Sequence, residues 1–303
     1  MNNNSKYVLV TPVKNEEKNL SALFQCVIRQ TRPPARWVIV NDSSTDGTEE
    51  LVRQLQRETS YIRLLNREQE DALYYASRVL ALKKGIESLR DEPFDFLGIL
   101  DADLLLPQHY YEILLDKFAS DPRLGIAGGL VSDHTNNGIS HRRAQSLHHV
   151  AGGVQMFRRQ CYDEVGGYIV MRWGGSDTVA ESTARLLGWR TRSFPEIEVI
   201  HRRPTGNEGA RLNWHWSCLK LGRRDYYIGY HPLYFTLKCM LRFLEQPIFL
   251  ASFFRILGFL MSAVKKPQRE ISADIVRHIR REQLRSIRFT LRKKERMTFE
   301  PQE

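Results

Sequence analysis

The chain has 303 residues, 42% hydrophobic and 26% charged, so it is neither disordered nor fibrous and can bury one large core or two smaller ones. Its formal net charge of +10 favours an anionic partner: nucleic acid, an acidic membrane surface or a phosphorylated substrate. The four scattered cysteines form no C-x-x-C pair, which favours reduced thiols in a cytoplasmic protein over a disulfide framework or a zinc site. The opening MNNNSKYVLV has no basic region followed by a long apolar one, so we do not expect secretion.

Short β-branched runs alternate with amphipathic helical patterns in the first half of the chain. The apolar periodicity predicts strands at residues 6–12, 36–42, 61–65 and 95–103, and helices at 16–30, 48–58 and 71–89. We expect Asp46 to begin the second of these helices, with Glu49 completing a capping box. Strands that alternate with helices favour a parallel sheet with right-handed crossovers.

Three of the predicted strands run into polar residues at their carboxyl ends. These are residues 11–16 after the first strand, Asn41 and Asp42 after the second, and residues 101–103 after the fourth. Open α/β sheets bind their ligands at the carboxyl ends of the strands. We therefore expect these three groups to converge on one site.

The second half of the chain is less regular. We predict a strand at 123–132, a mixture of strand, glycine turns and a short helix at 151–168, and a helix that starts near Ser176 and stops at Gly188. The sequence beyond is mainly helical and rich in aromatic residues. We therefore expect an α/β domain over 1–205 and a helical extension over 206–303.

Asp101 and Asp103 stand one residue apart in an apolar run, LGILDADLLLP. Burying two unpaired carboxylates side by side is costly, because each resists desolvation and the two repel. Mg²⁺ or Mn²⁺ would relieve this cost, since both prefer carboxylate oxygens and take further ligands from water and phosphate. The competing interpretation is an Asx-turn or a cap for the next helix, for which one Asp would suffice.

Three segments together resemble glycosyltransferase family 2: VTPVKNEEKNL, WVIVNDSSTDGT and LDADLLLP, in that order and at these spacings. The resemblance covers residues 6–205. It implies an α/β protein of the GT-A fold, with a Rossmann-like, mostly parallel sheet, that uses nucleotide-sugars and inverts the transferred sugar. Pro12, Glu16 and Asp42 are then expected to hold the nucleoside. Asp101 would lie near the ribose and the metal, and Asp103 would bind the metal directly.

The residues by themselves leave structural alternatives open. Glu16 could be an acid that complements a helix dipole, and Asp42 could belong to an Asx-turn. Asp46 and Gly47 are interpreted as structural only.

The family's catalytic base normally belongs to a Glu-Asp pair that starts a helix and precedes a glycine. Asp177 matches this spacing, eleven positions before Gly188, while Ser176 stands where the family usually has Glu. The resemblance therefore implies Asp177 as the general base. Glu181, one helical turn further on, is the fallback base. The structural alternative is Asp177 as an N-cap or first-turn acid.

The segment AGGVQMFRRQCYDEVGGY resembles the family's acceptor-side segment, in which Gly152 and Gly153 allow a close backbone approach. His201 follows a predicted strand, where some members have a further metal ligand, although a lone histidine there is more often structural. Arg202 and Arg203 could neutralise a diphosphate or simply face solvent.

The sequence does not determine which basic residue contacts the donor phosphates. The segment after the third strand lacks the Gly-Lys pattern that is common in the family. Arg67, Arg78 and Lys83 are the candidates.

Residues 246–266, QPIFLASFFRILGFLMSAVKK, form a long apolar stretch. It is about long enough to cross a bilayer, but a central Arg255 costs roughly 2.5–3.5 kcal/mol on insertion scales, and Pro247 and Gly258 interrupt it. We therefore expect an interfacial or re-entrant helix pair rather than a span, followed by a basic helix over 277–296 that suits anionic headgroups. The alternative is a buried core helix followed by a solvated basic one.

The sequence thus predicts an inverting glycosyltransferase that depends on Mn²⁺ or Mg²⁺ and takes a UDP- or GDP-linked sugar. We expect a saccharide or polyprenyl-linked acceptor, a peripheral position on the cytoplasmic face of the cell membrane, and no nucleic-acid partner. A sugar-phosphate nucleotidylyltransferase is the competing enzyme, but it should show a glycine-rich basic loop after the first strand, and VTPVKNEEKN has none. A nucleic-acid-binding protein would use the basic tail and leave the paired aspartates unexplained.

Overall fold

The computed structural model describes residues 5–68, 74–135, 138–141, 147–202, 214–243, 249–265 and 267–298. The chain divides into two compact units. Unit 1 comprises Met1–Val170 and Ser176–Asn207, and unit 2 comprises Met171–Gly175 and Glu208–Glu303. The boundary predicted near residue 205 lies outside the described residues.

Unit 1 is built on one mixed sheet, which has nine strands in the described part of the chain. They are β1 (Tyr7–Val13), β2 (Arg36–Asp42), β3 (Ile62–Arg67), β4 (Phe96–Ile99), β5 (Leu104–Leu105), β6 (Leu124–Thr135), β7 (Gly138–His141), β8 (Met156–Arg158) and β9 (Arg190–His201). The sheet order is β3-β2-β1-β4-β8-β6-β9-β5, with β7 paired to β6. The first four strands in this order are parallel, as predicted, and β8 then joins β4 antiparallel.

Helices follow the strands of unit 1 in the predicted alternation. They are α1 (Glu17–Ile28), α2 (Thr48–Glu58), α3 (Tyr74–Glu87), α4 (Tyr110–Ser120), α5 (Arg159–Val165) and α6 (Ser176–Leu186). A short 3₁₀ turn spans Gly152–Val154. The predicted start of α6 at Ser176 is confirmed, and Gly188 follows its last turn with φ 91°. The predicted fourth strand is shorter than expected, because β4 ends before Asp101.

The capping box predicted at the start of α2 is wrong. Gly47 precedes the first helical residue, and no side chain caps it. Asp46 instead accepts a hydrogen bond from the Thr48 amide at 3.1 Å. The Glu49 carboxylate accepts hydrogen bonds from the side-chain amides of Asn41, at 3.2 Å, and Asn66, at 2.9 Å. These donors at the ends of two strands compete successfully with the backbone amide that a capping box would use.

Strands β1, β2 and β4 are mostly apolar and buried, as expected for parallel strands covered on both faces, whereas β3 at the sheet edge is only partly buried. Residues 37–40 of β2 are completely buried. Trp37 carries the one polar group of that run, and its Nε1 donates to Thr11 Oγ1 at 2.9 Å. The four cysteines are free thiols, as predicted, and burial raises the pKa of Cys161 to about 12.

Unit 2 is helical in its described residues, as predicted for the C-terminal extension. Its helices are α7 (Trp214–Tyr227), α8 (Pro232–Leu241), α9 (Leu250–Lys265) and α10 (Ala273–Thr298). None of the described helices is long and apolar enough to span a bilayer. Helices α7 and α9 pack through glycines: a Cβ on Gly222 would lie 1.9 Å from the Arg255 carbonyl oxygen, and one on Gly258 would lie 2.0 Å from that of Leu219.

Helix α9 buries three polar side chains beside Gly258 and Phe259, while most of its large apolar residues are exposed. Arg255 is buried, together with Ser252 and Ser262 of the same helix. The large apolar residues Leu250, Phe253, Ile256, Leu257, Leu260 and Val264 are exposed. Their spacing of three and four residues aligns them along one face. We call these six residues the apolar row.

The buried Arg255 is held by an ionic cluster inside unit 2. Its Nε and Nη2 donate to Asp225 Oδ2 at 3.1 and 2.8 Å, and Lys238 Nζ lies 3.3 Å from the same oxygen. Burial by itself raises the pKa of Asp225, but Lys238, Arg224 and Arg255 together hold it below its usual value. Burial lowers the pKa of Lys238 to about 7. Arg255, which interrupts the apolar sequence, therefore has its counter-charge inside the protein.

The substitution Asp225→Asn should destabilise unit 2 strongly, because it leaves the Arg255 guanidinium, which cannot lose its proton, buried without a counter-charge. We expect the free energy of unfolding to fall by about 3–5 kcal/mol, measured by urea denaturation. Asp274→Asn is the matched control, since it removes an exposed ion pair with Arg277 that is worth at most about 1 kcal/mol. Equal stability of the two variants would show that the cluster does not hold α9.

Candidate active site

The polar carboxyl ends of β2, β1 and β4 lie side by side, because these three strands are adjacent and parallel. The convergence predicted from the sequence is thus present in unit 1.

At the end of β2, the buried Asp42 carboxylate is fully engaged. One oxygen pairs with Arg67 at the end of β3, and the other accepts a hydrogen bond from the Ser77 hydroxyl of α3. Arg67 Nη1 also donates to Ser77 Oγ at 3.0 Å. The Asx-like turn that follows β2 is made by Asn41, whose Oδ1 accepts from the Ser44 amide at 3.1 Å. The role of Asp42 in nucleoside binding stays a prediction.

At the end of β1, Pro12 pairs in register with Val40, and Glu16 directly precedes α1. The Glu16 amide donates to Thr48 Oγ1 at 2.9 Å, and its carboxylate accepts from Asn19 at 2.8 Å. These contacts fix the loop between β1 and α1 against the start of α2. The nucleoside-binding roles of Pro12 and Glu16 likewise stay predictions.

Asp46 and Gly47 contact Glu17 at the start of α1. The Glu17 amide donates to Asp46 Oδ2 at 3.3 Å, and the Gly47 amide donates to Glu17 Oε2 at 3.1 Å. A Cβ on Gly47 would lie 2.7 Å from the Glu17 carboxylate, so a larger residue would disturb the contact.

Beyond β4, Asp101 faces the arginine of α3. Its Oδ1 accepts two hydrogen bonds from Arg78, at 3.1 Å from Nε and 2.7 Å from Nη2. Burial by itself lowers the pKa of Arg78, but Asp101 and, with a weaker effect, Asp177 raise it above its usual value. Of the three cations that the sequence left open, Arg78 is the one beside Asp101. Arg67 pairs with Asp42, and Lys83 is exposed on α3.

Gly152 and Gly153 each face one carboxylate of the site. A Cβ on Gly152 would lie 2.8 Å from Asp177 Oδ2, and one on Gly153 would lie 2.5 Å from Asp101 Oδ2. The Asp101 amide also donates to the Gly153 carbonyl at 3.0 Å. Only glycine lets the backbone approach so closely, and it brings the first turn of α6 and the end of β4 to one peptide segment.

Asp103 lies against His201 because β5 pairs antiparallel with β9, which matches Leu104 to His201. The distance from His201 Nε2 to Asp103 Oδ2 is 3.1 Å. The other ring nitrogen, Nδ1, lies 3.1 Å from Asp133 Oδ1 at the end of β6. Both side chains of the pair are more than four-fifths buried. Asp103 thus presents a carboxylate oxygen, the ligand type preferred by Mg²⁺ and Mn²⁺, next to an imidazole nitrogen.

The third predicted ligand, Asp101, is engaged with Arg78 instead of facing this pair. Within the described residues no group of three His, Cys, Asp or Glu side chains has the arrangement of a complete metal site. Arg202 donates its amide to the Asp103 carbonyl at 2.9 Å and its Nη1 to the Lys18 carbonyl at 3.2 Å. Arg203 lies outside the described residues.

Glu181, the fallback base, is a buried structural residue. Its carboxylate accepts hydrogen bonds from the Val150 amide at 2.6 Å and from Gln155 Nε2 at 3.1 Å, and lies 2.9 Å from His149 Nδ1. Burial raises the pKa of Glu181, and the hydrogen bond to Glu181 raises the pKa of His149. Tyr168 extends this network by donating to Gln155 Oε1 at 2.5 Å. In contrast, no described residue donates a hydrogen bond to the half-buried Asp177 carboxylate.

Sequence reasoning missed two kinds of site residue. Asp133 directly follows a predicted strand, so the rule that pointed to the other strand ends would have found it. His149 and Gln155 carry no comparable signal, because their partner Glu181 is 26 or more residues away in the chain.

The sheet order and the acidic strand ends fit the GT-A fold expected of a family 2 glycosyltransferase. Residues 8–179, more than half of the chain, match the model of the family described as glycosyl transferase family 2. The chain belongs to glycosyl transferase family 2. Glycosyl transfer from a nucleotide-sugar is the activity that this membership supports.

Individual relatives are distant. The poly-beta-1,6-N-acetyl-D-glucosamine synthase of Staphylococcus aureus (strain COL) is 25% identical over 115 residues, which are 38% of this chain and 26% of that protein. The chain thus spans about a quarter of the length of the synthases it matches. Glycosyltransferase AglE of Haloferax volcanii is 24% identical over 213 residues, which are 65% of this chain and 67% of that protein.

A solved structure with a similar fold is the mannosyltransferase PcManGT from Pyrobaculum calidifontis, in complex with GDP-Man and Mn²⁺. It has a TM-score of 0.54 and 16% sequence identity, and the match covers 88% of this chain and 77% of that one. At this identity the likeness shows the fold alone, which is the predicted GT-A fold.

Proposed function

We propose that this protein is an inverting, metal-dependent glycosyltransferase that moves a sugar from a UDP- or GDP-linked donor to a saccharide or polyprenyl-linked acceptor. The observation that carries the proposal is the contrast between two carboxylates of unit 1. Asp103 is paired with His201, whereas Asp177 faces Gly152 and receives no hydrogen bond from a described residue. Asp103 is thus suited to hold a cation that would neutralise the donor's diphosphate, and Asp177 is suited to accept a proton.

On the donor side, Asp103 and His201 would hold Mn²⁺ or Mg²⁺, and Asp133 would keep His201 oriented through Nδ1. The bound cation supplies Lewis-acid stabilisation of the departing nucleoside diphosphate. Asp101 is held by Arg78, and this pair would line the path of the ribose and the diphosphate. Pro12, Glu16 and Asp42 would form the nucleoside end of the site, as the family resemblance implies. Asp42 would have to exchange a bond to Arg67 or Ser77 for one to the nucleoside.

On the acceptor side, Asp177 would accept the proton of the attacking hydroxyl while that oxygen bonds to the anomeric carbon. The bond to the diphosphate breaks on the opposite face of the sugar, so the anomeric configuration inverts. A side chain at Gly152 would lie against the Asp177 carboxylate, so glycine there leaves that carboxylate uncovered for the acceptor, and Gly153 does the same for Asp101. Glu181 is unsuited to this role, because its carboxylate oxygens already accept hydrogen bonds inside the protein.

Unit 2 would bind the anionic inner face of the cell membrane. The apolar row of α9 is exposed, and a protein surface rarely leaves so large an apolar patch open without a partner. Arg281, Arg285 and Arg288 are exposed along α10, and each basic residue near an anionic leaflet contributes about 1 kcal/mol. A lipid surface fits both features, and a lipid-linked acceptor would be presented there. Nucleic acid fits the charge but not the apolar row.

The metal can be tested with Asp103→Asn, which removes the charge of the proposed ligand and keeps its shape. Transfer should fall by at least about 10², since Lewis-acid stabilisation is worth several kcal/mol, and Mn²⁺-dependent binding of UDP or GDP should weaken in calorimetry. Asp116→Asn, an exposed acid on α4, is the control and should behave as wild type. Full activity of Asp103→Asn, or of wild type in excess chelator, would contradict metal dependence.

The base can be tested by comparing Asp177→Asn with Glu181→Gln. Asp177→Asn should lower the turnover number by roughly 10²–10⁴ and leave nucleoside diphosphate binding and the melting temperature unchanged. Glu181→Gln should instead lower the stability of unit 1 by about 1–3 kcal/mol, because a buried hydrogen-bond network loses its acceptor. A folded Glu181→Gln variant with the larger loss of turnover would assign the base to Glu181.

Membrane binding can be tested by liposome flotation of the full chain. Phe253→Ser with Leu257→Ser should reduce binding at both low and high salt, because burial of apolar side chains does not depend on screening. Arg285→Glu with Arg288→Glu should reduce binding mainly at low salt. Failure of the wild-type protein to float with either anionic or neutral liposomes would remove the support for a membrane-presented acceptor.

A further inference from the structure

Unit 2 contains a cavity of about 210 Å³ between the loop Met171–Gly175 and the helices α7 and α9. Three of its lining residues are cations that come from three different segments: Arg172 from the loop, Arg223 from α7 and Lys265 from α9. None of the described lining residues is acidic. The cavity is therefore electropositive.

The three cations have no counter-ion in the described part of the chain. No ion pair joins Arg172, Arg223 or Lys265 to a described carboxylate, and Arg223 lies over the Trp173 ring, 4.7 Å from its centroid. Like charges gathered around one cavity repel, and an anion in their midst would offset that repulsion.

A second observation also points to a ligand with oxygen atoms. The indole Nε1 of Trp173, a lining residue, is buried and has no hydrogen-bond partner among the described residues. A buried donor without an acceptor costs about 1–3 kcal/mol, and a phosphate oxygen in the cavity would accept its hydrogen bond.

The size and position of the cavity restrict which phosphate-containing ligands could bind there. Its volume is below the roughly 300–1,000 Å³ of sites that hold drug-sized molecules, so a complete nucleotide-sugar does not fit, whereas a phosphate with a short apolar stem does. Tyr227 and Met261 supply apolar lining. Met261 and Lys265 belong to α9, beside Leu260 and Val264 of the apolar row. An apolar chain attached to the phosphate can leave the cavity along that row.

We propose that this cavity binds the phosphate of a phosphate monoester that carries a long apolar chain. Arg172, Arg223 and Lys265 would neutralise the phosphate, Trp173 would donate to it, and the apolar row would cover the first part of the chain. This inference rests on the proposed function, because it identifies the acceptor of the proposed transfer as a lipid phosphate. The loop that carries Arg172 and Trp173 continues directly into α6, which carries Asp177.

The experiment is calorimetric titration of the full chain with three probes below their micelle concentrations: farnesyl phosphate, inorganic phosphate and farnesol. Farnesyl phosphate should bind at least about tenfold more tightly than either of the others. Inorganic phosphate lacks the apolar chain, and farnesol lacks the phosphate. Inorganic phosphate or farnesol binding as tightly as farnesyl phosphate would overturn the proposal.

Single variants identify the site. Arg172→Gln, Arg223→Gln and Lys265→Gln should each weaken farnesyl phosphate binding about tenfold, the factor that corresponds to 1.4 kcal/mol. The matched control is Arg242→Gln. Arg242 is an exposed cation that follows α8 and does not line the cavity, so this variant should leave binding unchanged. Arg172 and Lys265 are exposed, so their variants keep the test valid if Arg223→Gln unfolds. Unchanged binding in both of these variants would overturn the proposal.

Binding of UDP or GDP with Mn²⁺, measured on the same variants, separates this proposal from the proposed function. The three cavity variants should bind the nucleotide as wild type does, and Asp103→Asn should bind farnesyl phosphate as wild type does. A wild-type protein that binds farnesyl phosphate but neither nucleotide would leave the cavity site standing and overturn the proposed function. The reverse result would overturn only the cavity site.

Discussion

The buried carboxylate of Glu181 fixes the geometry on which the candidate active site depends. It accepts hydrogen bonds from the backbone of Val150 and the side chain of Gln155, and so ties residues 149–155 to α6. That segment contains the two glycines that face Asp177 and Asp101. A carboxylate that is fully used inside the protein therefore determines where two other carboxylates remain accessible to a substrate.

The second constraint is the antiparallel addition to the parallel sheet. Strand β9 lies between β6 and β5, and this arrangement brings His201 between Asp133 and Asp103. The three residues come from three strands that are far apart in sequence. The parallel pairing of β9 with β6 places His201 beside Asp133, and its antiparallel pairing with β5 places His201 beside Asp103.

The parallel half could be predicted from the sequence because its signals are local. Apolar runs mark β1, β2 and β4, and the polar ends of these strands mark one edge of the site. The contacts of His201, Glu181 and Glu49 could not be predicted in this way, because each is decided by long-range pairing that no short pattern records. Glu49 shows the difference: its position fits a capping box, yet the nearby amides of Asn41 and Asn66 bind it instead. The spacing that singles out Asp177 came from family resemblance and not from periodicity.

The exposed apolar row of α9 also has a thermodynamic consequence. The heat-capacity change of unfolding rises with the apolar surface that becomes exposed, and the apolar row is already exposed in the folded protein. What α9 buries includes the charged group of Arg255, two serine hydroxyls and a glycine, and one large apolar side chain, Phe259. Helix α9 therefore contributes less to the heat-capacity increment of unfolding than a helix of the same length that buries its large apolar side chains.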